Sequence, residues 1–191
     1  MDPHDLLNEW LRTTFPAGPP SRVERMVPSF LLPDSEGWLV SSEEMRAQGP
    51  YVITFFHGSW CGACVEKLEM FEAGLDRIHE LGADLIACSP ETLGHPRKLK
   101  AKKRLRYRIL SDVDCALSAD LGLAYTVPPG LQQQLQAAGV DLAARHGDGR
   151  WLLPVPMTMI VDREGQAMTT CVDTGQRIDF ECVIQILGEL H

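Results

Sequence analysis

Apolar positions along the chain change period several times, and each change marks a predicted element. Leu6, Leu7, Trp10, Leu11 and Phe15 recur at helical spacing, which predicts a helix over residues 2–15. Asp2 is placed to cap it, Pro3 to open its first turn and Asp5 to meet its dipole. The stretch Pro16-Ala17-Gly18-Pro19-Pro20 ends it as a linker. Residues 28–40 alternate short apolar runs with Pro33, Asp34 and Gly37, which predicts a hairpin. A short helix follows from Ser41 to about Gly49-Pro50.

From Tyr51 the chain alternates buried strands and helices. Tyr51-Val52-Ile53-Thr54-Phe55-Phe56 is apolar on both faces, as a central strand is. After the loop His57-Gly58-Ser59-Trp60, the spacing of Val65, Leu68, Phe71, Leu75 and Ile78 predicts one helix running to Gly82. Further strands are expected at 85–88 and 107–110, with helices at 93–105 and 115–121. Residues 123–153 break the alternation. They hold a Gln-rich helical piece at 131–138 and a Gly-rich polar loop at 145–150, and read as an insertion. A strand at 157–161, a turn at 162–165, a pairing strand at 166–172 and a closing helix at 180–190 complete the pattern. This order predicts an α/β sandwich around a mixed sheet. The expected division is a helix and linker at 1–27 and one domain at 28–191 with the insertion inside it.

Composition narrows the class. A chain of 191 residues, 45% hydrophobic, supports one well-packed domain. No apolar run is long enough to span a bilayer, and the N-terminal residues lack a signal-peptide pattern, so a cytoplasmic protein is expected. The net charge of −8 argues against nucleic-acid binding. Residues 97–108 are the exception. Eight of the 18 basic residues lie there with no acid among them. A solvated helix face is the plain reading, and a docking surface for an acidic reductase or anionic substrate the alternative.

The candidate chemistry lies at Trp60-Cys61-Gly62-Ala63-Cys64. Two cysteines separated by two residues, following a strand and opening a helix, can close a short disulfide. The helix N-terminus favours a thiolate there. Cys61 is expected to be the exposed member and Cys64 the less exposed one. A metal module would need two further ligands. There is no second C-x-x-C, and His57 and His95 are not at a ligand-pair spacing, so neither metal nor organic cofactor is expected. His57 could stabilise a thiolate or simply fill a strand end, and Trp60 could shield the sulfurs. Val155-Pro156 precedes a strand. A cis bond there would present the Val155 backbone beside the disulfide, ready to pair with a substrate chain. Cys88, Cys115, Cys171 and Cys182 read as core packing.

These segments together resemble the peroxiredoxin-like branch of the alkyl hydroperoxide reductase/thiol-specific antioxidant family, over roughly residues 28–190. Phe55-Phe56-His57-Gly58-Ser59-Trp60-Cys61 is similar to its aromatic-R-G-x-W-C-P-x-C segment. Ala87-Cys88-Ser89-Pro90-Glu91 resembles its A-I-S-P-Q strand end. Leu110-Ser111-Asp112, the Leu153-Pro154-Val155-Pro156 run and the turn Ile160 to Gly165 also look similar. The resemblance implies a thioredoxin-like fold and a thiol-dependent antioxidant role. It implies a hydroperoxide or protein-disulfide substrate, and thioredoxin, glutaredoxin or a small thiol as electron donor. Against the peroxiredoxin motif P-x-x-x-T-x-x-C, counted back from Cys64, His57 stands at the proline and Cys61 at the threonine. The family's active-site arginine has no evident counterpart. In peroxide chemistry that register makes Cys64 the attacker and Cys61 the resolver; in a thioredoxin-like disulfide reductase the roles reverse. A non-catalytic redox sensor or scaffold keeps the same fold. The oligomeric state, a homodimer included, stays open.

Overall fold

The computed structural model describes residues 3–14, 25–172 and 180–190. The proposed Asp2 cap, Phe15, the Pro16–Pro20 linker and the Cys171 side chain lie outside the described residues. In chain order the elements are α1 (Pro3–Thr14), β1 (Arg25–Met26), β2 (Leu31–Pro33), β3 (Leu39–Ser41), α2 (Ser42–Gln48) and β4 (Tyr51–Phe55). Then come α3 (Gly62–Ala73), α4 (Leu75–Glu80), β5 (Asp84–Ser89), α5 (Gly94–Lys103), β6 (Arg108–Ser111) and α6 (Ala116–Asp120). The last are β7 (Ala124–Thr126), α7 (Pro129–Ala137), α8 (Leu142–His146), β8 (Leu152–Pro154), β9 (Met157–Val161), β10 (Gln166–Val172) and α9 (Phe180–Glu189).

The main sheet has the order β1-β10-β9-β4-β5-β6. β4, β5 and β6 run parallel, while β9 and β10 run antiparallel beside them. The two-residue period of β4 splits the core. Val52 and Phe56 face one cluster with Leu68, Phe71 and Ile78 from α3 and α4. Tyr51, Ile53 and Phe55 face another with Val40, Met45 and Leu117. β9 repeats the division, with Ile160 on the first side and Met157, Met159 and Val161 on the second. Thr54 and Thr158 meet across the central pair, their hydroxyls 2.8 Å apart, which satisfies both in the core.

A third cluster lies at one end of the sheet. Leu7 and Leu11 of α1 pack there with Tyr125, Leu131, Leu135, Leu142, Leu153 and Val155. The N-terminal helix therefore docks on the segment expected to be an insertion. That segment is more ordered than its composition implies: β7 and β8 pair antiparallel, and α8 occupies part of the polar stretch.

Two further expectations change. The single helix after Trp60 is two, broken at Gly74 (φ −99°, ψ 3°), where the Phe180 ring of α9 fills the space that a side chain would need. The Val155–Pro156 bond is trans, as is every peptide bond among the described residues. The β7–β8 pairing delivers the chain straight into β9, and Val155 N–H donates to Leu123 O at 2.8 Å. A trans proline at a strand entrance needs no reversal of direction, and trans is the intrinsically favoured isomer. Among the described residues no helix is long and apolar enough to cross a membrane.

Candidate active site

β4 ends at the sheet's edge, and Phe56 N–H still pairs with Cys88 O at 3.0 Å before the chain leaves for the loop. Gly58, at φ +146°, makes the turn; a Cβ there would strike Trp60 Nε1 and the Glu91 carboxyl. Cys61 is the N-cap of α3. Its Sγ accepts from Cys64 N–H at 3.3 Å, satisfying one of the helix's orphan amides. Cys64 lies in the first turn of the same helix. His57 swings in from the loop, so that one imidazole nitrogen and the two sulfurs lie within 4.8 Å of one another.

All three groups are buried: Cys61 and His57 are 0% exposed and Cys64 2%. The expected exposure of Cys61 is thus overturned. Trp60, which belongs to both the first and third clusters, covers the helix start, and its indole stacks on His57 at 5.9 Å and 8°. Tyr125, in β7, places its hydroxyl 3.1 Å from His57 Nε2.

The two sulfurs are unequal. Burial alone pushes the Cys64 thiol up, but the Cys61 S–H beside it, then His57, then Lys67 outweigh burial and hold Cys64 well below the usual thiol range. Cys61 is pushed up, first by sharing its proton with Cys64 and then by burial. Of the two, Cys64 is therefore the more acidic thiol and Cys61 the one that holds its proton more tightly. Lys67 is 7% exposed on the inner face of α3, one turn beyond Cys64. It supplies cationic character at the sulfurs.

A second polar group braces the loop. Glu91, 0% exposed, accepts from Ser59 N–H at 2.6 Å, Ser59 Oγ at 3.0 Å and Arg145 Nη1 at 2.9 Å. Arg145 comes from α8 and is tied down by its own carbonyl, which accepts from Thr92 N–H and Oγ1. Outside this loop a groove of about 550 Å³ opens beside Trp60, Gly62 and Val65, with His95, Lys98, Lys102 and Arg145 along it. The basic segment is therefore only partly a solvated face. Lys103 pairs with Glu69, Arg106 with Glu72 and Asp76, and Arg97 with Glu36.

Sequence spacing found Cys61, Cys64, Trp60 and His57, and the fold brings these four together. Of the two sequence readings of His57, thiolate stabiliser or strand-end filler, the first matches its place beside the sulfurs. Sequence spacing missed Lys67, Tyr125, Glu91 and Arg145. Lys67 left one signal, a charge among apolar α3 positions three residues after Cys64. Val155 packs in the third cluster with Tyr125 and Trp60, its N–H already engaged, so that amide cannot serve an incoming strand. Cys88 is pushed well above the thiol range by burial and then by Asp112, and Cys115 rises to about 12 for the same two reasons, as packing cysteines should. Cys182 is only partly buried.

A mixed sheet with a dithiol at the head of the helix after its central strand defines a thioredoxin-like fold. The chain belongs to the AhpC/TSA family, whose model matches residues 23–168. Chloroplastic peroxiredoxin Q of Suaeda salsa is 26% identical over 98 residues, which is 51% of this chain and 45% of that protein. The match thus spans less than half of that relative's length. Peroxidoxin BcpB of Mycobacterium tuberculosis superposes with a TM-score of 0.72 at 17% identity, over 90% of this chain and 99% of that one. Peroxiredoxin Q of Xanthomonas campestris gives 0.65 at 18%, over 84% and 90%.

Proposed function

We propose that this chain is a thiol peroxidase in which Cys64 attacks a hydroperoxide and Cys61 resolves the product. The carrying observation is the buried grouping of Cys61, Cys64 and His57, donor atoms within 4.8 Å of one another, in which Cys61, His57 and Lys67 favour the thiolate at Cys64. The Cys64 thiolate displaces alkoxide or hydroxide from the peroxide O–O bond and becomes a sulfenic acid. The leaving oxygen takes a proton from within the site, and His57 is placed to relay it. Cys61 then attacks the Cys64 sulfur, forming a disulfide and releasing water. Thioredoxin, glutaredoxin or a small thiol returns two electrons to the disulfide, a protein donor only after the loop over the helix start has opened. Where the family motif has a threonine hydroxyl, this chain has the Cys61 thiol, which doubles as capping acceptor and resolving group.

Burial selects the substrate. With both sulfurs covered, a peroxide oxygen reaches them far more readily than the disulfide of a folded protein. The engaged Val155 amide also removes one anchor for a peptide. Trp60 acts in this reading by covering the helix start, and Pro156, in its trans form, by leading the chain into β9.

Peroxide consumption coupled to dithiothreitol tests the proposal. Cys64→Ser is expected to abolish turnover and sulfenic acid trapping by a 1,3-dione. Cys61→Ser should keep one trappable sulfenic acid per chain and lose the intrachain disulfide. The opposite pattern reverses the roles, and a wild-type chain that consumes no peroxide refutes the reading.

A further inference from the structure

His57, Cys61 and Cys64 carry a second consequence that does not depend on peroxide chemistry. Their donor atoms are mutually within 4.8 Å, and all three side chains are buried. We propose that the reduced dithiol and His57 form a binding site for a soft divalent cation, with zinc the best match. Zinc takes sulfur at about 2.3 Å and nitrogen at about 2.0–2.1 Å in tetrahedral geometry. Tetrahedral bonds of those lengths need the two sulfurs about 3.8 Å apart and each sulfur about 3.6 Å from the nitrogen, so the cluster must tighten by no more than about 1.2 Å.

The charge balance suits a buried site. Two thiolates, one neutral imidazole and Zn²⁺ sum to zero, so the metal and its protein ligands form a neutral unit. The binding step balances as Zn²⁺ joining the Cys64 thiolate, the Cys61 thiol and His57, with the Cys61 proton released to solvent. Three protein ligands leave the fourth position to a water molecule.

Tyr125 supplies the outer support that such sites use. Its hydroxyl faces His57 Nε2 at 3.1 Å, while Nδ1 is buried without a hydrogen-bond partner. A proton on Nε2 shared with Tyr125 leaves the Nδ1 lone pair for the metal. Oxidation to the disulfide consumes both thiolates, so zinc and the disulfide exclude each other.

The test uses the full chain, reduced with a phosphine and titrated with Zn²⁺ against a chromophoric chelator. One zinc per reduced chain is expected, and none after the disulfide is formed. Co²⁺ in place of zinc should show intense tetrahedral visible bands and a sulfur-to-metal charge-transfer band. Tyr125→Phe is expected to weaken zinc about tenfold. His57→Asn should weaken it further, and Cys61→Ser or Cys64→Ser should remove stoichiometric binding. Absence of uptake by the reduced wild type overturns the proposal, as does undiminished affinity in His57→Asn. If that variant does not fold, the His57 ring resonances of the wild type decide: signals that stay fixed on zinc addition sink the assignment. Peroxide turnover on metal-free samples is scored separately, so a chain that binds zinc but spares peroxide refutes only the peroxidase reading.

Discussion

Individual side chains set which sulfur reacts. Cys61 and Cys64 share one helix start, and spacing alone makes them equivalent candidates. The difference comes first from the contact between the two sulfurs, in which Cys61 keeps the proton. It comes next from His57, which acts on Cys64, while Lys67 favours the thiolate at both. Replacing Lys67 by Met removes a cation from beside a buried thiolate. The midpoint of thiolate absorbance near 240 nm is therefore expected to move to higher pH, with less thiolate and slower alkylation at neutral pH. His57→Asn should move it the same way. An unchanged midpoint in both would mean that Cys61 alone holds the charge. The dithiol and its tryptophan were legible in the sequence because their chemistry sits within five consecutive residues. Tyr125 was not, since it stands 68 positions from His57 and only the β7–β8 pairing brings it back.

Elements are positioned by a few close approaches. α3 and α4 separate at Gly74, where the Phe180 ring occupies the space beside the backbone, edge-on to Phe71 at 6.0 Å. Gly74→Ala is expected to cost about 1–3 kcal/mol by overpacking, read as a lower urea midpoint. Phe180→Leu in the same chain should recover part of the loss. The apolar period was continuous across Gly74, so sequence periodicity gave one helix; the break belongs to a residue of α9. α8 shows the converse. Its Arg145 holds the buried Glu91 that grips Ser59, and removing one partner strands the other. Arg145→Met leaves an unpaired carboxylate in the core and is expected to cost about 3–5 kcal/mol, more than Glu91→Gln, by denaturant melts of each variant. The three-residue strands β7 and β8 are too short for any period to announce them.

Across the whole molecule, stability should depend on pH through His146. This ring is 1% exposed, its Nε2 has no hydrogen-bond partner, and burial lowers its pKa to about 4 against the pull of Asp148. Unfolding frees it to titrate near 6.5. Between about pH 6.5 and 4 the unfolded chain binds the extra proton, so stability falls as pH falls, by up to about 3 kcal/mol. Denaturation midpoints from pH 7 to 4 should show this slope, and His146→Gln should flatten it. A slope unchanged in that variant assigns it to other groups. The mixed sheet and the helices that flank it follow from alternation that the sequence displays plainly, while the strand order is set by tertiary pairing. The third cluster does not, because α1 and α7 meet only after the chain has wound through most of the fold.

That third cluster ties the first dozen residues to the reaction centre. Trp10 of α1 lies 5.2 Å from the Tyr125 ring, and Tyr125 in turn faces His57. Shortening the chain past α1 would bare a tyrosine that the imidazole leans on, and water could then compete for that ring nitrogen. An N-terminal fusion or proteolytic nick, remote from any sulfur, thus becomes a way to detune the chemistry.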